Sequence, residues 1–211
     1  MVLSIAMTNA RDYCKEKYGI EYFKTLPFPT PFIKSLFYYL KYMSDEYSIA
    51  FDFEPNEELP ERIRINKGSE YRTKSLNDFE LFGHTHSEWL ELPVPSVQDI
   101  CDMRVCFPEF LLNHAGMGIV YSVEDLDKWK SYCKKHKNDK RLGERVLDFM
   151  WTKKDMGIEE KLPMEYYENP YAFEIGRNYF FEKTGVKVAP ITNATTIQLP
   201  FKERILKRNE L

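Results

Sequence analysis

Residues 79 to 86, FELFGHTH, set the tightest limit on how this chain can fold. Phe79 to Gly83 reads as an apolar strand that runs straight into His84. His84 and His86 are two of the chain's four histidines. They stand two residues apart, a spacing that on a strand points both side chains the same way. Beyond the proline-flanked ELPVP come Ser96 and Asp99. Their S-x-x-D spacing ahead of apolar residues reads as a helix N-terminus with Ser96 as its cap, both side chains sharing a face. The strand end, completed by the first turn of the next helix, offers a metal site.

The rest of the chain sets the bounds around that stretch. At 211 residues it is one domain with extensions, or at most two small ones, and 43 % hydrophobic content suffices for a buried core. Charged residues make up 30 % with a net of −3, so the concentrated basic surface that nucleic acid requires is missing. The 14 Tyr and 15 Phe are read first as core and second as a protein-binding surface. Cys14, Cys101, Cys106 and Cys133 form no CxxC pair, which argues against a zinc ribbon. The opening MVLSIAM is short and has no basic flank, and no apolar run reaches the length of a membrane span. The expectation is a cytoplasmic or otherwise intracellular protein with reduced thiols and no membrane or nucleic-acid partner.

Taken in order, residues 9 to 24 read as a short helix that Asn9 could cap and Gly19 could end. LPFPTP is a proline-punctuated connector. A helix starts at Pro31, with Phe32, Leu36, Tyr39, Leu40 and Met43 at helical spacing, and ends near Ser44. YSIAFDF then alternates as a half-buried strand should. The acidic loop EPNEELPE precedes a short strand at Arg62 to Ile65, and residues 68 to 78 read as irregular. After the helix at Ser96, strands are expected at 107 to 112 and 118 to 123, joined by the turn NHAGMG. The pattern is α/β around one sheet. Ser122 and Asp125 resemble a capping box for a helix from Val123 to His136. KKHKNDKR is a solvated charged turn. Helices are expected at Arg141 to Lys154 and through Met164 to Lys183, strands at 186 to 191 and 195 to 199. The organisation expected is an N-terminal helix and connector over 1–30, a core over 31–123, and a mainly helical extension over 124–211.

A catalytic zinc site needs about three protein ligands and one open position for water. His84, His86 and Asp99 can supply the three, and a general base near the water completes the chemistry. The run of Gly-His-Thr-His after an apolar strand, a proline-flanked loop, then Ser and Asp at a helix start resembles the JAMM (JAB1/MPN-type) metalloprotease family. That family's signature is H-x-H followed by S-x-x-D, with a glutamate on an earlier segment. The resemblance implies a mixed β-sheet flanked by helices over about residues 31 to 123. It implies Zn2+ held by His84, His86 and Asp99, with Ser96 hydrogen-bonding the oxyanion. It places the water-activating glutamate at Glu46, in SDEYSIAFDF, with Glu54, Glu57 and Glu58 as competitors. Ser87 stands where the family usually has proline. Nine residues separate His86 from Ser96, two more than is usual in the family. The longer loop either bulges out or pulls Asp99 out of reach.

Two other families that use such histidines fit less well. Calcineurin-like phosphoesterases need metal-binding motifs upstream of GHTH, whereas the remaining histidines, His114 and His136, both lie downstream. Amidohydrolase barrels need more length and more ligands. His114 sits in a turn, as a substrate contact or simply exposed. Cys101 and Cys106 are read as buried small hydrophobes. Two functions follow from the resemblance. One is a zinc-dependent hydrolase of isopeptide or peptide bonds, with a ubiquitin-like protein as one candidate substrate. The other is an inactive JAMM-like component of a large complex or a virus particle, with protein partners.

Overall fold

The computed structural model describes residues 6–20, 22–40, 45–53, 58–68, 79–86, 95–113, 118–136, 178 and 180–201. The elements are α1 (Ala6–Tyr18), β1 (Tyr22–Pro27), α2 (Thr30–Leu40), β2 (Tyr47–Phe53), β3 (Pro60–Lys67), β4 (Leu81–His86), α3 (Val97–Asp102), β5 (Glu109–Asn113), β6 (Gly118–Val123), α4 (Leu126–His136), β7 (Val186–Pro190) and β8 (Thr196–Phe201). This is a mixed α/β arrangement of a sheet flanked by helices.

Six strands form the main sheet, in the order β3-β2-β4-β5-β6-β7. The β4–β5 pair is parallel and the other neighbours are antiparallel. Parallel neighbours need a crossover connection, and α3 lies on the one between β4 and β5. The alternating YSIAFDF forms β2 as expected, but every residue of it is buried, not only one face. The cause is cover on both sides. One face of the sheet presents Ile49, Phe51, Leu81, Phe110 and Leu112 to Ile33 of α2 and to Leu26, Ile197 and Leu199. The last three belong to a separate ribbon of β1 paired with β8. The opposite face presents Leu111, Ile119, Tyr121 and Val188 to Ile100 and Met103, with Trp129 and Tyr132 of α4 packed alongside.

Several expectations are corrected. Gly19, at φ 65°, ends α1, and residues 22 to 24, expected in that helix, belong to β1. The proline-rich connector also contributes to β1, because Pro27 pairs with Thr196 at the end of a two-stranded ribbon, where a missing N–H is tolerated. Both histidines lie inside β4 instead of after it. Val123 closes β6, and Asp125 caps α4 by accepting from the Lys128 N–H at 3.0 Å. β7, from the stretch read as an extension, joins the main sheet beside β6. The helix expected at 141–154 and most of the one at 164–183 lie outside the described residues, as do the turn 114–117 and the loop 87–94. Among the described residues no helix is long and apolar enough to cross a membrane.

The expectation of reduced thiols is also corrected. Cys14 of α1 and Cys106, after α3, form a disulfide across 92 residues of sequence. Cys106 is buried, as read, but as half of a cross-link.

The strand that carries the histidines depends on Gly83. A Cβ there would overlap the carbonyl oxygen and the ring of Phe110 on β5. Gly83→Ala is therefore expected to cost about 3 kcal/mol or more, through overpacking against backbone that cannot give. Asp125→Ala, which removes a cap and a half-exposed ion pair with Lys128, should cost about 1 kcal/mol. Urea unfolding of the two variants checks the order.

Candidate metal centre

Pairing register brings the polar side chains together. Ser48 of β2 stands opposite His84 of β4, and His84 and His86 stand beside Leu111 and Asn113 of β5. These residues share the sheet face covered by α3 and α4, because directly paired residues point to the same side. The intervening Thr85 points the other way, and its hydroxyl accepts from the Tyr47 N–H at 2.8 Å. The imidazoles are only 8 % and 7 % exposed. Their Nε2 atoms lie 3.1 Å apart.

Asp99 comes to them from the first turn of α3. His84 Nε2 is 3.4 Å from Asp99 Oδ1, and His86 Nε2 is 3.6 Å from Oδ2. The N-cap chemistry of α3 aims that carboxylate. Ser96 Oγ accepts from the Asp99 N–H at 3.1 Å, and Asp99 Oδ2 accepts from the Ser96 N–H at 2.7 Å. Ser96 is thus the cap its spacing predicts, and it stands beside the histidines through Asp99. The two additional residues in the loop do not pull Asp99 out of reach. Among the described residues, His84, His86 and Asp99 form a group whose ligand atoms lie within 4.8 Å of one another and could hold a metal ion.

The electrostatics of the group are mutual. Burial opposes charge on His84, yet the Asp99 carboxylate, and after it Glu46 and Glu109, outweigh that effect and raise its pKa. Burial alone would raise Asp99, but the charges of His84 and His86 hold it well below the ordinary carboxylate range. The effect of Glu46 on His84 shows that the structure brings this residue to the site. Its carbonyl accepts from the Gly68 N–H at 2.8 Å, which continues the β2–β3 pairing one step. The β2–β4 register, carried two residues beyond Ser48↔His84, sets Glu46 across from His86. Glu58 is exposed beyond the other end of β2, about six strand residues or ~20 Å away. Glu54, Glu57 and His114 lie outside the described residues. His136 stacks near Tyr132 at the end of α4 and takes no part.

Three neighbours escape a reading of the sequence alone. Ser48 is fully buried, and its Oγ finds no hydrogen-bond partner among the described residues. Glu109 is buried too, receiving the Tyr121 O–H at 3.4 Å and the Arg104 N–H at 3.3 Å. Burial pushes its carboxyl up to about 7 against the pull of Arg104. The signal for Ser48 was its parity with Glu46 along β2. For Glu109 it was the one charged residue of a mostly apolar strand. No protein-family model, curated protein or solved structure matches this chain.

The pKa directions give opposite pH trends for folding and for metal uptake. The raised value of His84 means that its charged pair with Asp99 stabilises the metal-free fold below about pH 6.5, the unfolded value. That contribution is lost as pH rises through the folded value. Metal binding must displace the same proton, so apparent affinity rises with pH over that window. Chelator-treated protein should therefore melt at lower temperature as pH is raised from about 6 to about 9, while its affinity for added metal increases. In His84→Ala the uptake of one metal ion per chain should be lost. Thermal melts and metal titration across that pH range check both trends.

Proposed function

We propose that this chain is a zinc-dependent, JAMM-like hydrolase of isopeptide or peptide bonds. The observation that carries the reading is the convergence of His84, His86 and Asp99 despite the long spacing between them. The three closest separations of their ligand atoms are 3.1, 3.4 and 3.6 Å. Atoms bonded at about 2.0–2.1 Å to a tetrahedral zinc ion stand about 3.3 Å apart; each imidazole meets a different oxygen of Asp99 near that spacing, and one atom from each residue lies within 4.8 Å of the others. The order of elements around the site supports the same reading: a helix, the strand after Glu46, the histidine strand, and the helix capped by Ser96.

Zinc, when bound, supplies a Lewis acid that polarises a carbonyl and lowers the pKa of water to about 7. The chain's own residues do the rest. Glu46, across from His86, takes a proton from the attacking water and passes it to the leaving amine. Ser96 Oγ accepts from the Asp99 N–H, so its own O–H is left to donate to the developing oxyanion. The capping box fixes Asp99, and burial of both imidazoles fixes their rotamers, so the ligands are held in place before the ion arrives.

The test has two stages. Purified protein should contain zinc in equimolar amount, and His84→Ala should contain none. Zinc-loaded protein is then assayed on ubiquitin-like isopeptide and peptide substrates. Glu46→Gln should keep its zinc and lose about 10²- to 10⁴-fold in kcat. Ser96→Ala should lose about 10²- to 10³-fold, with about 1 kcal/mol of stability lost with the cap. Rates unchanged in Glu46→Gln would remove it as the base. Zinc without hydrolysis, in a protein that co-purifies stoichiometrically with partners, would establish the second reading, an inactive assembly component. The Cys14–Cys106 disulfide favours that reading, since such bonds persist in secreted proteins and on virion surfaces.

A further inference from the structure

β3 is the outer strand of the main sheet, and it is unlike its neighbour. Every residue of β2 is buried, whereas Glu61 to Ile65 of β3 are exposed on both faces. Ile63 and Ile65 are 41 % and 43 % exposed. They stand opposite Phe51 and Ile49, so they prolong into solvent the apolar face that packs on α2. The alternate residues Arg62 and Arg64 stand opposite Asp52 and Ala50, on the face of the histidines. The ladder also fixes which backbone groups are spent. The Gly68 N–H donates to the Glu46 carbonyl at 2.8 Å, and in antiparallel strands bonded and unbonded pairs alternate. Arg62, Arg64 and Asn66 therefore bond inward to β2, while Ile63, Ile65 and Lys67 turn their N–H and C=O groups outward. Among the described residues no strand pairs with that edge. An unpaired edge that carries apolar side chains is a template for another strand.

We propose that β3 pairs antiparallel with β3 of a second copy of this chain, across a two-fold axis at Arg64. Self-complementarity identifies the occupant. An axis perpendicular to the sheet keeps each face continuous, so odd-numbered residues meet odd and even meet even. Centred on Arg64, it sets Ile63 opposite Ile65 of the second copy, twice over, and these pairs exchange the outward backbone hydrogen bonds. The same register sets Arg62 opposite Asn66. It also sets Glu61 opposite Lys67, which joins opposite charges at both ends of the paired stretch. Glu61 lies at the register shift that ends the regular ladder. Lys67 also meets Asp45 at 2.6 Å, and its ammonium has three N–H bonds to share. One pair of like charges remains, Arg64 with its own copy. Centring on Ile63 instead would oppose Arg62 to Arg64 twice, which is destabilising. Centring on Ile65 would set both Ile63 side chains against Lys67. The isoleucines of the two copies all meet one another only with the axis at Arg64. The sheet then runs from one copy into the other, and the face bearing His84 and His86 runs with it.

Sedimentation of the full chain over a range of concentrations tests the pairing. A dimer with Kd on the order of 10 μM is expected, because one strand pair buries less than a standard interface. The double variant Ile63→Lys, Ile65→Lys, altered only at exposed positions, should sediment as a monomer and keep its circular dichroism. Arg64→Cys should link two chains under oxidised glutathione, since residues opposite in an unbonded pair have Cα atoms about 4.5 Å apart. Peptide mapping should place that link at position 64. Asn66→Cys, opposite Arg62, should form no such link at position 66. A single-chain mass up to about 200 μM would overturn the proposal and leave this edge to a strand of another protein. A dimer that survives the two lysines, or one that Asn66→Cys links as readily as Arg64→Cys, would overturn it as well. Mass and cross-linking are read without zinc or substrate, so the result stands apart from the hydrolase reading.

Discussion

Two imidazole nitrogens held 3.1 Å apart at the buried end of a strand need something to hold them there. Burial of polar groups costs free energy unless they are paired. In this fold the partner is Asp99, and the pairing shifts both sides, raising His84 and lowering Asp99. The arrangement ties the sheet to α3 through charge at one point, while the apolar residues Ile100 and Met103 tie it by packing one turn further on. The same aspartate closes the capping box with Ser96. A single carboxylate thus starts the helix, aims its own oxygens and compensates the histidines. This economy explains why S-x-x-D carries information about both local structure and chemistry.

Topology makes the arrangement tolerant of loop length. β4 and β5 are parallel neighbours, so the chain must leave β4 at His86, travel back and enter β5 beside Phe82. Helix α3 lies on that return path and packs on the face that already bears the imidazoles. Where its first turn falls is set by Ile100 in the core, not by the number of residues spent reaching it. Two further residues in a connection cost little closure entropy. The length of the connection is therefore a weaker constraint than the packing of the helix that follows.

Legibility in the sequence follows from how local each signal is. The alternation of YSIAFDF, the helical spacing after Pro31 and the S-x-x-D cap are local, and they appear as β2, α2 and α3. His84, His86 and Asp99 could be read as a set because a strand period and a helix start are both short-range rules. Glu46 could be named because it directly precedes the strand. The pairing of β1 with β8 and of β6 with β7 was beyond such rules, since the partners are far apart in the chain. For the same reason LPFPTP read as a connector although its first two residues, Leu26 and Pro27, end a strand. The Cys14–Cys106 bond is equally non-local, its halves brought together by the docking of α1. Ser48 and Glu109 looked like ordinary strand residues, because only the register shows them facing the histidines.

Among the described residues, carboxylates gather around His84. Glu46, Asp99 and Glu109 all act to raise the pKa of His84, and Glu109, the buried one of the three, has the least water to screen it. Burial pushes Glu109 up to about 7 against the pull of Arg104. Some positive charge must offset the remainder, and two sources fit the space between the imidazoles and Asp99. One is a proton on His84. The other is a divalent cation, which brings twice the charge to the same atoms. They exclude each other, because the nitrogen that would ligate the cation is the one that would hold the proton. A buried acidic surround therefore favours the cation most strongly where protons are scarce. Glu46, only partly buried, stands at the margin of that surround.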